Sequence, residues 1–303
     1  MSIQVQNISK SFSNLQAVDQ VSFHVNQGEL FGLIGPDGAG KTTIFRILTT
    51  LLLANEGTAT VADYDVVKDY KAIRSSVGYM PGKFSLYQDL SVVENLKFFA
   101  TLFGTTIEEN YELIKEIYIQ IEPFKKRRVG ALSGGMKQKL ALCCALIHAP
   151  KVLFLDEPTT GVDPVSRKEF WQMLKRLQQK GITILVSTPY MDEAALCDRI
   201  ALIQQGKILK IDTPKNIIDN YDKKIFNIKS KNTYQLILDL QQYPSQYSVF
   251  AFGAYIHYID QREDFNPDDL KQYLEDKNHI EIEIHVSATT IEDVFMDLTN
   301  LNQ

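Results

Sequence analysis

Cysteine is scarce in this chain of 303 residues: Cys143, Cys144 and Cys197, two of them adjacent inside the apolar run LALCCALI. An odd count at that spacing excludes a disulfide framework and a zinc-ligand pattern, and buried reduced thiols fit a cytoplasmic setting. Long apolar runs are also lacking; none approaches the roughly 18 to 20 residues of a membrane-spanning helix, and the opening MSIQVQNISK has no basic-then-apolar secretion signal. Nor is there a block of one charge. The net charge is −5, and the basic run Lys125-Lys126-Arg127-Arg128 is short enough to read as a solvated loop, which argues against a nucleic-acid partner. What remains is a 45% hydrophobic composition, enough to bury the core of one large domain or of a large and a small one.

The opening stretches IQVQNISKSF and VSFHVNQGELFGLIG alternate and then become uniformly apolar, the change expected where an edge strand leads to a buried parallel strand. SVVENLKFFATLF, TIEENYELIKEIYIQI and GGMKQKLALCCALI carry apolar residues at three- and four-residue spacing and predict a helical insertion, about residues 83–149. The runs KVLFLDEP and ITILVSTP predict further buried strands. Between them lies the helix SRKEFWQMLKRLQQKG, with Gly181 at its C-terminal end. From about residue 220 the texture changes to shorter pieces (KIFNIKS, NTYQLILDLQQY, SVFAFGAYIHYID, NPDDLKQYLED, IEIEIHVS, TIEDVFMDL), which predict a separate α+β domain over 220–303 after a first domain over 1–219.

Three motifs carry chemistry. GPDGAGKTT, Gly35 to Thr43, fits G-x-x-x-x-G-K-[ST] and lies between an apolar strand and a helix, the context in which backbone N–H groups cradle phosphate. Gly35, Gly38, Ala39 and Gly40 form that loop. Lys41 reaches the β and γ phosphates, Thr42 supplies a hydroxyl to Mg²⁺, and Thr43 continues the helix N-terminus. VLFLDE places Asp156 and Glu157 at a strand end, the first as a second anchor for the metal and the second as the carboxylate that takes a proton from the attacking water. LSGGMKQ opens a helix with Ser133, Gly134 and Gly135, a second helix-terminus anion site in one chain.

Taken together, these motifs resemble the nucleotide-binding subunits of ABC transporters over about residues 3 to 220. The resemblance implies an α/β P-loop NTPase with an ABC-type antiparallel β subdomain and helical insertion, followed by the small C-terminal α+β domain. It implies ATP and Mg²⁺ as cofactors. It also implies a head-to-tail pair in which the Ser133–Gly135 turn closes the phosphate loop of a second nucleotide-binding domain, with separate transmembrane permease subunits as further partners and a peripheral place on the inner face of the membrane. By the same resemblance Phe12 stacks on adenine, Asp163 in TTGVDP meets the partner domain, and residues 82–102 meet the membrane subunit. There Phe84 and Tyr87 join the docking surface, whereas Phe98 and Phe99 read as core packing. The ending IHVSATTIEDVFMDLT is similar to the tails of the drug-, antibiotic- and polysaccharide-exporting branch, where it serves dimerisation, regulation or stability.

In the signature turn Met136 replaces the Gln usual in the family, which leaves Ser133, Gly134 and Gly135 to make the phosphate contacts, and two further departures bear on hydrolysis. Gly82 stands after VGYMP where the family has Gln, and Pro189 ends ITILVST where the family has His; the five histidines lie elsewhere, at 24, 148, 257, 279 and 285. Proline offers no side-chain hydrogen bond, so the site is expected to bind ATP and hydrolyse it slowly, and Gln88 is the one nearby candidate for compensation. Hence two readings stand: a transporter ATPase paired with a more competent domain, and a regulatory or structural ATP-binding half with little activity. A ribosome- or nucleic-acid-associated ATPase of the same family would bring a long coiled-coil insertion or two nucleotide domains, which this sequence does not show.

Overall fold

A computed structural model of the chain describes residues 1–82 and 86–300. They divide into two compact units, Met1–Pro214 and the residues from Lys215 onward.

In the first unit β1 (Ile3–Phe12), β2 (Leu15–Val25) and β3 (Leu30–Ile34) lead to α1 (Lys41–Leu48), then β4 (Glu56–Val61), β5 (Tyr64–Asp65), α2 (Tyr70–Ser76) and β6 (Val77–Met80). The helical insertion follows as α3 (Val92–Leu102), α4 (Tyr111–Tyr118) and α5 (Gly134–Leu146). After it come β7 (Val152–Asp156), α6 (Pro164–Gln179), β8 (Thr183–Thr188), α7 (Met191–Ala194), β9 (Arg199–Gln204) and β10 (Lys207–Asp212). Two sheets result: an antiparallel one in the order β2-β1-β4-β5, and a six-stranded one in the order β10-β9-β3-β8-β7-β6. β1 is therefore central rather than the expected edge strand, because β4, about fifty residues later, adds to its other side through pairs such as Ile3 with Val61.

Strands β3, β7 and β8 are buried at every residue, as parallel strands covered on both faces must be. Their register positions the site. Ile34 pairs with Thr188, Asp156 with Ser187, and Met80 of β6 with Leu155. The carboxyl ends therefore finish level, and Gly35, Gly82, Glu157 and Pro189 all leave the sheet on the same edge, where open parallel sheets place their ligands. The helices are pinned by local chemistry. A capping box between Ser91 and Glu94 starts α3, and Asp163 caps α6 just ahead of Pro164.

In the second unit, α8 (Pro214–Asp219) lies at the boundary. It is followed by β11 (Ile225–Lys229), α9 (Thr233–Gln241), β12 (Gln246–Phe252), β13 (Tyr255–Asp260), α10 (Pro267–Asp276), β14 (Glu283–Ser287) and α11 (Ile291–Asn300). The sheet order is β12-β13-β11-β14, antiparallel throughout, with Leu236, Leu240, Leu270 and Leu274 packed on Phe226, Ile256 and Tyr258. SVFAFGAYIHYID, expected as one piece, is two strands; Gly253, at φ 58, makes the tight turn between them.

Candidate nucleotide site

The phosphate loop leaves β3 at Gly35 and enters α1 at Lys41. Gly40 has φ 102, and a Cβ there would fall 2.4 Å from the carbonyl oxygen of Ala17, so only glycine permits this path. Ala39 is buried behind the loop, its carbonyl accepting from Gly206 N–H. The result is a glycine cradle ending in a helix N-terminus, which fits a polyphosphate. Lys41 is 3% exposed; its ammonium donates to Gly35 O at 2.8 Å and Pro36 O at 2.9 Å and pairs with Glu157 at 3.2 Å. Thr42 and Thr43 follow in the first turn of α1, both half-buried.

Asp156 ends β7 with 2% exposure, and Glu157 stands just past it with φ 50, a left-handed conformation uncommon for glutamate. Ser187 of β8 accounts for both placements. Its hydroxyl donates to Asp156 Oδ1 at 2.7 Å and accepts from Glu157 N–H at 3.0 Å, and its carbonyl accepts from the same N–H at 3.1 Å. The Asp156 carboxylate is close enough to Tyr79 that, after burial, it is the next cause of the phenol's rise to about 12. Thr42 and Asp156 are hard oxygen donors, the set that suits Mg²⁺ shared with phosphate oxygens.

Gly82 sits beside this pair. A Cβ there would stand 3.1 Å from Asp156 O and 3.7 Å from Asp156 Oδ2, so a longer residue at this position would run alongside the acidic group. Pro189 follows directly on β8, half-buried, with Thr188 Oγ1 accepting from Tyr190 N–H at 3.1 Å to set the turn.

The signature turn forms a second patch. Ser133 caps α5 by accepting from Met136 N–H at 3.3 Å. A Cβ on Gly135 would lie 2.9 Å from Ser166 Oγ, and one on Gly134 would lie 3.7 Å from Gly161 O, so this turn lies flat on the start of α6 and the loop before it. Asp163 caps α6 through Ser166 N–H at 3.0 Å, and that backbone donor holds its carboxyl below the usual range. The structure thus joins Lys41, Asp156 and Glu157 in one group and Ser133–Gly135 with Asp163 in another. Phe12 ends β1 44% exposed, under Lys10 at 5.5 Å.

Of the aromatics in the segment expected to dock, Tyr87 and Phe98 are exposed and meet edge to face at 4.8 Å; Phe98, at 39% exposure, is not the core residue its helical position suggests. Phe99 is half-buried and, with Tyr79, Leu86, Phe103, Cys144 and His148, lines a cavity of about 170 Å³. Phe84 lies outside the described residues. Among the described residues no helix is long and apolar enough to cross a membrane.

The sequence reading missed Ser187, Thr188 and Glu193. Their signal was present as polar residues closing an otherwise apolar strand and an acid in the short helix after it; Thr188 and Glu193 are five residues apart, but Asp156, the partner of Ser187, and Thr159, the partner of Glu193, lie 31 and 34 residues away.

The sequence profile described as ABC transporter matches residues 18–160. The chain is 38% identical over 302 residues to the probable multidrug ABC transporter ATP-binding protein YbhF of Escherichia coli (strain K12), covering 98% of this chain and 52% of that protein, so the chain spans about half the length of that relative. It is 34% identical over 303 residues to Nod factor export ATP-binding protein I of Sinorhizobium fredii (strain NBRC 101917 / NGR234), covering 99% of this chain and 86% of that one. Among solved structures, an ATP-binding subunit of an ABC transporter superposes with a TM-score of 0.66 at 25% identity over 72% of this chain and 92% of its own. On these relationships the chain belongs to the ATP-binding proteins of the ABC transporter family.

Proposed function

We propose that this chain is the ATP-binding and ATP-hydrolysing subunit of an exporter, pairing head to tail with a second nucleotide-binding domain and driving separate transmembrane subunits from the inner face of the membrane. The observation that carries the reading is the convergence of Lys41 with Glu157 at 3.2 Å while Ser187 ties Glu157 to Asp156. The cradle from Gly35 to Gly40 would hold the phosphates by backbone N–H groups, and Lys41 would neutralise the β and γ oxygens. Thr42 and Asp156 would hold Mg²⁺, which would supply charge neutralisation at the phosphates. Glu157 would accept the proton of the attacking water, and Phe12, exposed at the end of β1, would stack on the adenine. On the other patch, Ser133, Gly134 and Gly135 would close the partner's phosphate loop, with Asp163 beside them. Residues Tyr87 and Phe98, near the cavity lined by Leu86 and Phe99, support the docking of a membrane subunit there.

A second reading is favoured by Gly82 and Pro189. Both lie at the carboxyl edge of the sheet without the side-chain amide and imidazole that the family uses against the γ-phosphate and water, and loss of one such contact typically costs on the order of a hundredfold in rate. This half would then bind ATP with little turnover and lend its intact signature turn to a competent site on a different chain, so that the pair is a heterodimer. The deciding measurement is steady-state Mg-ATP hydrolysis by the purified chain against Glu157→Gln. Turnover above that blank supports an enzyme in its own right, and binding without turnover supports the unequal pair. Failure to bind Mg-ATP at millimolar concentration would overturn both.

A further inference from the structure

Glu193 belongs to none of the nucleotide motifs, yet it is 2% exposed and holds the most connected buried carboxylate beside the site. Its oxygens accept from Thr159 Oγ1 at 2.8 Å, Thr188 Oγ1 at 2.5 Å and Arg167 Nε at 3.1 Å. Each donor sits on a different element. Thr188 is the last residue of β8, next to Ser187 and Pro189. Thr159 lies in the turn between Glu157 and Asp163, where Thr160 N–H donates back to Glu157 O and Val162 N–H to Thr159 O. Arg167 is in the first turns of α6, the helix that Asp163 caps and that supports Gly135 through Ser166.

A buried carboxylate is tolerated only when its oxygens are satisfied, and a purely structural pin would do that with any donors. Here the donors belong to both patches of the proposed site, the acidic pair on one side and the partner-facing Asp163 loop on the other. We infer that Glu193 is a positioning residue that couples the phosphate edge of the sheet to the Asp163 loop, so that occupation of the nucleotide site sets the stance of the partner-facing surface. The inference rests on the ATP-binding reading above. Thr188, 0% exposed, is the arm toward the nucleotide, and Thr159, 1% exposed, is the arm toward the loop. Arg167, whose guanidinium also lies 4.0 Å over the Tyr190 ring, fixes the helix to the same carboxylate.

The test is amide hydrogen exchange of the purified full chain with and without Mg-ATP, beside a Mg-ATP titration. In the parent chain Mg-ATP slows exchange across residues 158–163 by about tenfold, equal to roughly 1.4 kcal/mol. Thr159→Val and Thr188→Val keep Mg-ATP affinity within about threefold but lose that slowing, because the valine fills the space and removes one donor. Thr159→Ser, which keeps the hydroxyl, retains it and controls for misfolding. Undiminished slowing in both valine variants, or bound Mg-ATP that leaves 158–163 unchanged in the parent, overturns the role of Glu193 while leaving ATP binding intact. A parent chain that binds no Mg-ATP removes the underlying reading as well.

Discussion

If the hydrolysis proposed here is slowed by two missing side chains rather than by a distorted scaffold, putting them back raises turnover. The perturbation is the double substitution Gly82→Gln with Pro189→His. Gly82 is exposed and has ordinary negative-φ backbone, so the main obstacle to a side chain is the 3.1 Å approach of its Cβ to Asp156 O. Relieving that contact costs about 1 kcal/mol by analogy with mild overpacking. The reduced freedom of the unfolded chain on replacing glycine returns about 0.4 to 1 kcal/mol. Replacing Pro189 gives freedom back to the unfolded chain at a cost of similar size, about 0.4 to 1 kcal/mol, so the double variant loses about 1 kcal/mol net and its melting temperature falls by about 2 to 4 °C for a unit of this size. On the rate side, a recovered transition-state contact is worth on the order of a hundredfold, about 2.7 kcal/mol. Because both groups serve the same γ-phosphate and water, their effects do not multiply freely, and the double variant is expected to exceed the parent by about a hundredfold in kcat. Phosphate release under saturating Mg-ATP reads this directly, with Glu157→Gln placed in the double variant as the blank. A folded double variant that binds Mg-ATP like the parent and hydrolyses it no faster would refute the reasoning.

Three further outcomes follow from the geometry. Ser187→Ala leaves Asp156 Oδ1 without its hydroxyl donor at a buried position; it lowers stability by about 1 to 3 kcal/mol, read as a shifted urea midpoint, and an unchanged midpoint would show that the hydroxyl does not hold the acid. Gly40→Ala forces a Cβ to 2.4 Å from Ala17 O and abolishes Mg-ATP binding by calorimetry, whereas Gly38→Asn, at φ 79 with open space around it, keeps the fold. His148 donates its Nε2–H to Val77 O at 3.0 Å and stacks on Phe103, and burial pushes its imidazole below the ordinary value of about 6.5. The unfolded chain therefore takes up the proton first on acidification, so this contribution to stability is fully present above about pH 6.5 and is lost as pH falls below it. His148→Phe should flatten the pH dependence of the denaturation midpoint in that window, and an unaltered slope would refute the assignment.

Chemistry that is contiguous in the chain was legible from the chain. GPDGAGKTT, VLFLDE and LSGGMKQ each fix a local backbone path, and the apolar runs within β3, β7 and β8 announce their burial on both faces. What was not legible depends on distant partners. Nothing in IQVQNISKSF tells that β4 will occupy its second edge, and helical spacing alone cannot tell that Phe98 faces outward while its neighbour Phe99 lines a cavity. Glu193 was unreadable for the same reason: its meeting with Thr159 spans 34 positions and exists only once β7 and β8 lie in register.

The strand order β3-β8-β7 has a consequence for how such a protein can change. The strand that carries the phosphate loop and the strand that carries the acids never pair with each other; each takes its register from β8. Grip on the nucleotide is written on the outer two, while the tip of the middle one faces both. On the proposed reading a lineage can therefore vary residue 189, the first beyond that strand, as a rate control, slowing or reviving turnover in one member of a pair without rebuilding the loop that binds or the surface that pairs. Under that arrangement unequal halves are a short mutational step away from equal ones, in either direction.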